Sequence, residues 1–194
     1  GLKPAAMVLV ATVRALRHHG GAKKAEYNTP NMQYLEKGIG NLEKHIENCK
    51  KFGLIPVVAI NSFFSDSEEE VNFIIKKCAD VGVKAVLSRG WEFGGEGTKD
   101  IARAVVESIE SGVNHYHPLY DMSLSIEEKI KMIATQIYGA NDVTYSGKAT
   151  TQLKEYINLG YDHLPVCMAK TQMSFSDDEK KIGRPTNFVV NVRE

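Results

Sequence analysis

The chain has 194 residues, 43% of them hydrophobic, which is enough to bury a core for one large domain or for one domain and part of another. Basic and acidic residues balance at 24 each, so no overall positive field would attract nucleic acid or an anionic membrane, and we expect neither as a partner. The three cysteines are far apart and form no CxxC pair, which argues against a disulfide framework and favours a reducing, cytoplasmic location.

The first half of the chain alternates between strand-like and helix-like segments. Residues 7–13 form a continuous apolar run rich in β-branched side chains, which predicts a strand buried on both faces of a parallel sheet. A loop at residues 20–30 precedes a helix that ends near Phe52, before Gly53. Further strands are predicted at residues 56–60 and 83–88. The helix that ends near Phe52 carries apolar residues at helical spacing on one face: Leu35, Ile39, Leu42, Ile46 and Cys49.

Two more helices cover this predicted sheet. Ser67 and Glu70 match a capping box and predict the start of the first, whose apolar face includes Val71, Ile74 and Cys78. A glycine-rich loop at residues 89–97 precedes the second. Its expected apolar side consists of Ile101, Ala102, Val105, Val106 and Ile109. Strands that alternate with helices at these lengths predict an α/β fold with a parallel sheet and covering helices.

The pattern changes near residue 114, which predicts a domain at residues 1–113 and a smaller, incomplete α+β domain at residues 114–194. Ser125 and Glu128 form a second capping box, at the start of a helix that ends at Gly139. A further helix ends at Gly160, and strands are predicted at residues 164–169 and 187–192. Within the first of these, Cys167 is expected to be a buried, inert thiol.

Two loops stand out as candidate binding elements, because ligands of parallel sheets collect beyond the carboxyl ends of the strands. These are residues 61–66 and the glycine-rich loop 89–97. Each carries aromatic side chains in a polar setting, so Phe63 and Trp91 can form two walls of a slot for a flat ring. The alternative is that both rings pack into the core or against another domain.

Other candidate sites have weaker signals. The glycines at residues 94–97 either present backbone amides to an anion or simply form a turn. Lys170, Thr171 and Gln172 follow a predicted strand, where they either meet a phosphate or form a solvated turn. The sequence contains no GxxxxGK[ST] phosphate loop. Its histidines lack metal-ligand spacing, and we expect no metal site.

Several longer strings together resemble the formate–tetrahydrofolate ligase family, and the resemblance covers nearly the whole chain. They are residues 2–4, 8–16, 41–48, 56–61, Trp91 with residues 94–97, 164–172 and 183–186.

The resemblance implies an ATP-dependent ligase that joins formate to tetrahydrofolate through formyl phosphate and gives 10-formyltetrahydrofolate, ADP and phosphate. It implies a P-loop NTPase-like architecture, a requirement for Mg²⁺, a response to monovalent cations and a homotetramer. The folate ring is expected between Phe63 and Trp91 with Leu87 as an apolar neighbour, while Lys170, Thr171 and Gln172 belong to the nucleotide side. The family commonly has a lysine and a proline where this chain has Ser62 and Phe64.

The family's lysine-containing phosphate loop lies upstream of the matching segment, so we expect an internal or C-terminal piece that is inactive alone and has no catalytic residue of its own. Two other interpretations remain open. One is a non-catalytic α/β module that serves assembly of a larger enzyme. The other is a GTPase-like switch, which Asn61 and Asp66 suggest but the missing phosphate loop disfavours.

Overall fold

Three parallel strands form the sheet in the first half of the chain, in the order β1 (Val8–Ala11), β2 (Val57–Asn61) and β3 (Ala85–Ser88). This is seen in a computed structural model that describes residues 3–169 and 174–194. Val8 lies opposite Val57, and Asn61 lies opposite Ser88. The predicted α/β class with a parallel sheet and flanking helices is therefore confirmed.

The strands differ in burial. Residues 57–60 of β2 are all buried, as predicted. The expectation that the first strand is buried on both faces is wrong, because Val8 and Val10 are 42% and 63% exposed. The apolar run also spans two elements. Thr12 caps a short helix, α1 (Val13–His19), by accepting a hydrogen bond from the backbone N–H of Ala15 at 3.1 Å.

The helices α2 (Met32–Lys50) and α3 (Glu68–Asp80) bury the faces that the sequence predicts. Ser67 and Glu70 form the expected reciprocal capping box at the start of α3. The α1, α2 and α3 helices and the sheet enclose one core. Its central members are Val13, Leu16, Leu35, Ile39, Leu42, Ile46, Val58, Ile60, Val71, Ile74 and Cys78.

The glycine-rich loop contains a four-residue helix, α4 (Gly90–Phe93), and a 3₁₀ turn before the longer helix α5 (Lys99–Glu110). The predicted apolar side of α5 is only partly covered. Ala104 is its one buried residue, while Val106 and Ile109 are half exposed. An apolar stripe on a helix therefore does not by itself specify which part of it meets the sheet.

The second half contains α6 (Ile126–Met132), which continues as a π-helix (Ile133–Tyr138) and ends at Gly139 with φ at 81°. Strand β4 (Asp142–Tyr145), which the sequence reading missed, pairs in parallel with β5 (Val189–Val192). Helix α7 (Gly147–Asn158) lies between them in sequence. The strand predicted at residues 187–192 is present.

The strand predicted at residues 164–169 does not form. Side chains, not a neighbouring strand, bind its backbone: Tyr120 Oη pairs with Val166, and Tyr138 Oη donates to Met168 O at 3.1 Å. Lys129 Nζ likewise donates to Leu164 O at 3.2 Å. Cys167 is exposed, so the expectation of a buried thiol is wrong.

Two units result, Gly1–His117 and Pro118–Glu194. The division of the chain into functional domains at residues 1–113 and 114–194 stays a prediction. Within residues 3–169 and 174–194, no helix combines the length and the apolar character that crossing a bilayer requires.

Candidate functional site

The two candidate loops leave adjacent strands at the same edge of the sheet. Asn61 at the end of β2 pairs with Ser88 at the end of β3. The ladder extends by one more hydrogen bond, from the backbone N–H of Ser62 to Ser88 O at 3.1 Å. The parallel register therefore brings residues 62–67 and 89–97 side by side at the carboxyl ends of the strands.

Phe63 and Trp91 meet at this edge. Their ring centroids lie 6.0 Å apart and their planes are inclined by 22°, so the rings are stacked. The indole Nε1–H donates a hydrogen bond of 2.6 Å to the carbonyl oxygen of Ser62, the residue next to Phe63. Trp91 is nevertheless 51% exposed, which leaves much of the indole accessible to a ligand.

The distance between the two rings is too short for a third ring between them. A sandwiched ring needs about 7 Å, twice the carbon–carbon contact distance of about 3.5 Å. The observed 6.0 Å therefore describes a closed pair. Insertion of a flat ligand would require the rings to move apart.

The position of Trp91 depends on a tight closure of the glycine-rich loop. The backbone N–H of Arg89 donates to Gly97 O at 3.0 Å. A Cβ atom at Gly97 would lie 2.3 Å from Arg89 O, so only glycine permits this approach. The α4 helix that carries Trp91 is thus held between Arg89 and Gly97.

Phe63 is held by a turn that Asp66 closes. The backbone N–H of Phe63 donates to Asp66 Oδ2 at 2.8 Å, and the backbone N–H of Asp66 donates to Phe63 O at 3.0 Å. Burial raises the pKa of the Asp66 carboxyl, although the hydrogen bond from Phe63 and the charge of Arg17 oppose this effect. Within the described part of the chain, Asp66 Oδ1 accepts no hydrogen bond.

A buried ion pair lies beneath this turn. The Arg17 guanidinium binds both carboxylate oxygens of Glu70, at 2.8 and 2.5 Å, and also donates to the backbone carbonyl oxygens of Tyr27 and Ser65. Burial alone would raise the pKa of Glu70. Hydrogen bonds from Arg17 and from the backbone N–H groups of Asn31 and Ser67 outweigh burial, so its pKa lies below the ordinary value.

Leu87 lies on β3, partly buried against the core. It also lines a polar cavity of about 270 Å³ at the same sheet edge, together with Ser62, Asp66 and Arg89. The three residues predicted for the folate slot therefore lie on neighbouring strand ends.

The sequence did not identify Arg14 or Arg17 as candidate site residues. The Arg14 guanidinium lies over the Phe63 ring, with its Cζ atom 5.4 Å from the centroid, and donates to Asn28 Oδ1 at 2.7 Å. A lone arginine near a helix start carries no periodic signal. Arg17, in contrast, could have been predicted to be buried, because it follows Val13 and Leu16 at helical spacing on the buried face of α1.

The predicted nucleotide-side residues Lys170, Thr171 and Gln172 lie outside the described residues. Ala169, just before them, lines an apolar cavity of about 710 Å³ within the second unit. In the described ranges 3–169 and 174–194, no group of three or more His, Cys, Asp or Glu side chains is arranged to hold a metal ion.

A comparison with known protein families gives a match over the entire chain. The family model described as formate–tetrahydrofolate ligase matches residues 1–194.

Proposed function

The chain belongs to the formate–tetrahydrofolate ligase family, whose members use ATP to join formate to tetrahydrofolate, and on that premise we propose that it supplies the folate-stacking wall of such an enzyme. In the proposed reaction, formate takes the γ-phosphoryl group of ATP and becomes formyl phosphate, with release of ADP. An amine of tetrahydrofolate then attacks the formyl carbon, its N–H proton and the phosphate leave, and 10-formyltetrahydrofolate is formed.

The stacked pair of Phe63 and Trp91 is the observation that carries this proposal. A pterin is flat and polarisable, so two aromatic faces bind it through stacking and burial of apolar surface once the two rings have moved apart to admit it. Leu87 adds an apolar contact near the same strand ends. None of these three side chains exchanges protons, so their role is to hold the ring.

Correct placement of the folate ring contributes substantially to the rate of such a reaction. Transfer of the formyl group requires the folate amine close to the acyl phosphate. Correct placement of two reactants can supply several kcal/mol of the barrier reduction. In this proposal, the chain contributes positioning, while the phosphate-binding loop lies outside these 194 residues.

The nucleotide side of the proposal rests on Lys170, Thr171 and Gln172, whose cation, hydroxyl and amide suit phosphate oxygens. The ligase is proposed to be a cytoplasmic homotetramer that requires Mg²⁺ and responds to monovalent cations. We assign no described residue as a ligand of either ion.

Titration with tetrahydrofolate, followed by the emission of Trp91, tests the folate wall, because Trp91 is the only tryptophan of the chain. We expect saturable quenching after correction for ligand absorbance. Phe63→Ala should weaken binding roughly tenfold, since it removes one stacking face.

Phe64→Ala is the matched control, because Phe64 neighbours Phe63 but is 89% exposed and is not part of the stacked pair. The affinity of the Phe64→Ala variant for tetrahydrofolate should equal that of the unmodified chain. Absence of saturable quenching, or equal losses in the two variants, would contradict the proposed folate wall in this chain.

An assembly module is the second candidate function, and an exposed apolar stripe at the end of α5 favours it. Val106 and Ile109, which lie one turn apart on α5, are 51% and 50% exposed, and Val113, just beyond the helix, is 47% exposed. Contiguous exposed apolar residues of this kind are typical of subunit contacts.

Sedimentation equilibrium without ligand tests this second candidate. If the stripe is a subunit contact, the chain should self-associate, and Ile109→Lys should shift it towards monomer by about tenfold in the dissociation constant, because a charge would be buried. Lys99→Ala, on the same helix in an exposed pair with Glu96, serves as the control. A monomeric chain at all concentrations would exclude this role for the stripe.

A further inference from the structure

Arg14 is a cation that lies beside the aromatic pair and forms no salt bridge within the described ranges, although its charge opposes the rise in the pKa of the nearby Asp66 carboxyl. Its side chain is exposed at the start of α1, and its guanidinium faces the Phe63 ring. Its Nη2 donates a hydrogen bond of 2.7 Å to the amide oxygen of Asn28. Within the described ranges, no carboxylate oxygen lies within 4.0 Å of its nitrogens.

The segment that positions the Arg14 guanidinium is itself anchored by hydrogen bonds. Arg17 donates to the carbonyl oxygen of Tyr27 at 2.6 Å, and the backbone N–H of Asn31 donates to Glu70 at 3.0 Å. The segment that carries Asn28 is therefore tied at both ends to the buried ion pair. Asn28 in turn orients Arg14, whose Cζ atom lies over the Phe63 ring at 5.4 Å from its centroid.

A guanidinium has five N–H donors in a planar fork that matches the oxygens of a carboxylate or a phosphate. The contact with Asn28 uses only part of this capacity. A ring that stacks on Phe63 would bring its own substituents within reach of the remaining donors, because the guanidinium lies 5.4 Å from the centre of the same ring.

We propose that Arg14 is a further substrate-binding residue, which binds an anionic oxygen group of the substrates when a flat ring occupies the slot at Phe63. This inference rests on the proposed folate wall. Two substrate groups have the required chemistry: the glutamate carboxylates of the folate and the phosphate of the acyl phosphate. Both would be bound through charge-assisted hydrogen bonds to the guanidinium.

The test compares Arg14→Gln with the unmodified chain, using Trp91 emission and three probes. Tetrahydrofolate carries ring and carboxylates, 6-methyltetrahydropterin carries the ring without carboxylates, and inorganic phosphate carries the anion alone. If the carboxylates are bound, Arg14→Gln should lose roughly tenfold in affinity for tetrahydrofolate and nothing for the pterin. If phosphate is bound, phosphate added to the chain saturated with 6-methyltetrahydropterin should alter Trp91 emission, at constant ionic strength, in the unmodified chain but not in Arg14→Gln.

Two further variants separate binding from structure. Arg14→Lys keeps the positive charge and should recover part of the lost affinity. Arg103→Gln replaces an exposed arginine of α5 that pairs with Asp100 and should bind all probes as the unmodified chain does. Thermal unfolding of each variant checks that the fold is retained.

The outcomes distinguish this inference from the proposed function. If the unmodified chain binds neither tetrahydrofolate nor the pterin, the folate wall itself is refuted, and the role of Arg14 with it. If the unmodified chain binds the ring but Arg14→Gln binds each of the three probes as the unmodified chain does, the folate wall stands and the role of Arg14 is refuted.

Discussion

Replacement of Arg17 by methionine is expected to destabilise the chain by about 3–5 kcal/mol, because it leaves a buried carboxylate without its partner. Arg17 and Glu70 are both fully buried, and Asp66 beside them is almost so. Methionine fills part of the volume but donates no hydrogen bond. The free energy of unfolding from urea denaturation measures this loss.

Arg103→Met is the matched control, since Arg103 pairs with Asp100 on the exposed surface of α5. Loss of an exposed pair typically costs about 0–1 kcal/mol. Similar losses in the two variants would contradict the assigned importance of the buried pair.

The loss of stability caused by Arg17→Met should also depend on pH. In the unmodified chain the pKa of Glu70 is lowered, so its stabilising contribution is present above the unfolded-state pKa and is lost as the pH falls through the lower folded-state value. In the variant, burial dominates and protonation relieves the unpaired charge. The stability difference should therefore shrink as the pH falls towards 4.5, the ordinary pKa of this carboxyl. A difference that stays constant would indicate lost packing alone.

Gly38→Ala should destabilise the chain by about 1–3 kcal/mol, the usual range for forced overpacking. Gly38 lies in the middle of α2, where a Cβ atom would come within 1.9 Å of Leu16 O and 2.8 Å of the Gly20 backbone nitrogen. The added methyl group would push α1 away from α2. In an open helix, the same change would gain about 1 kcal/mol from helix propensity.

Gly147→Ala provides that comparison, because Gly147 begins α7 and a Cβ atom there would meet nothing within 4 Å. Urea denaturation should show a neutral or stabilising change for Gly147→Ala and a loss for Gly38→Ala. A change of the same sign and size at both positions would refute the close helix contact. Since α1 carries Arg14 and Arg17, Gly38→Ala should also weaken tetrahydrofolate binding at Phe63.

The two capping boxes and the buried face of α2 could be predicted because their determinants are local. Ser67 and Glu70, like Ser125 and Glu128, satisfy each other within one helical turn. The apolar residues of α2 recur at the helical period, and β2 is a continuous apolar run. Failures occurred where burial depends on distant partners, as on the exposed side of β1 and on α5, or where side chains replace strand pairing, as at residues 164–169.

By itself, the sequence determined the α/β class, the family and the two loops that carry Phe63 and Trp91, because strand order along the chain and local turn chemistry specify these features. Only the tertiary structure decided that the two rings touch, that Arg14 lies against Phe63, and that Arg17 pairs with Glu70, 53 residues away. The physical reason is strand register: pairing of Asn61 with Ser88 sets the distance between the loops, and α1 then adds its arginines from another part of the chain.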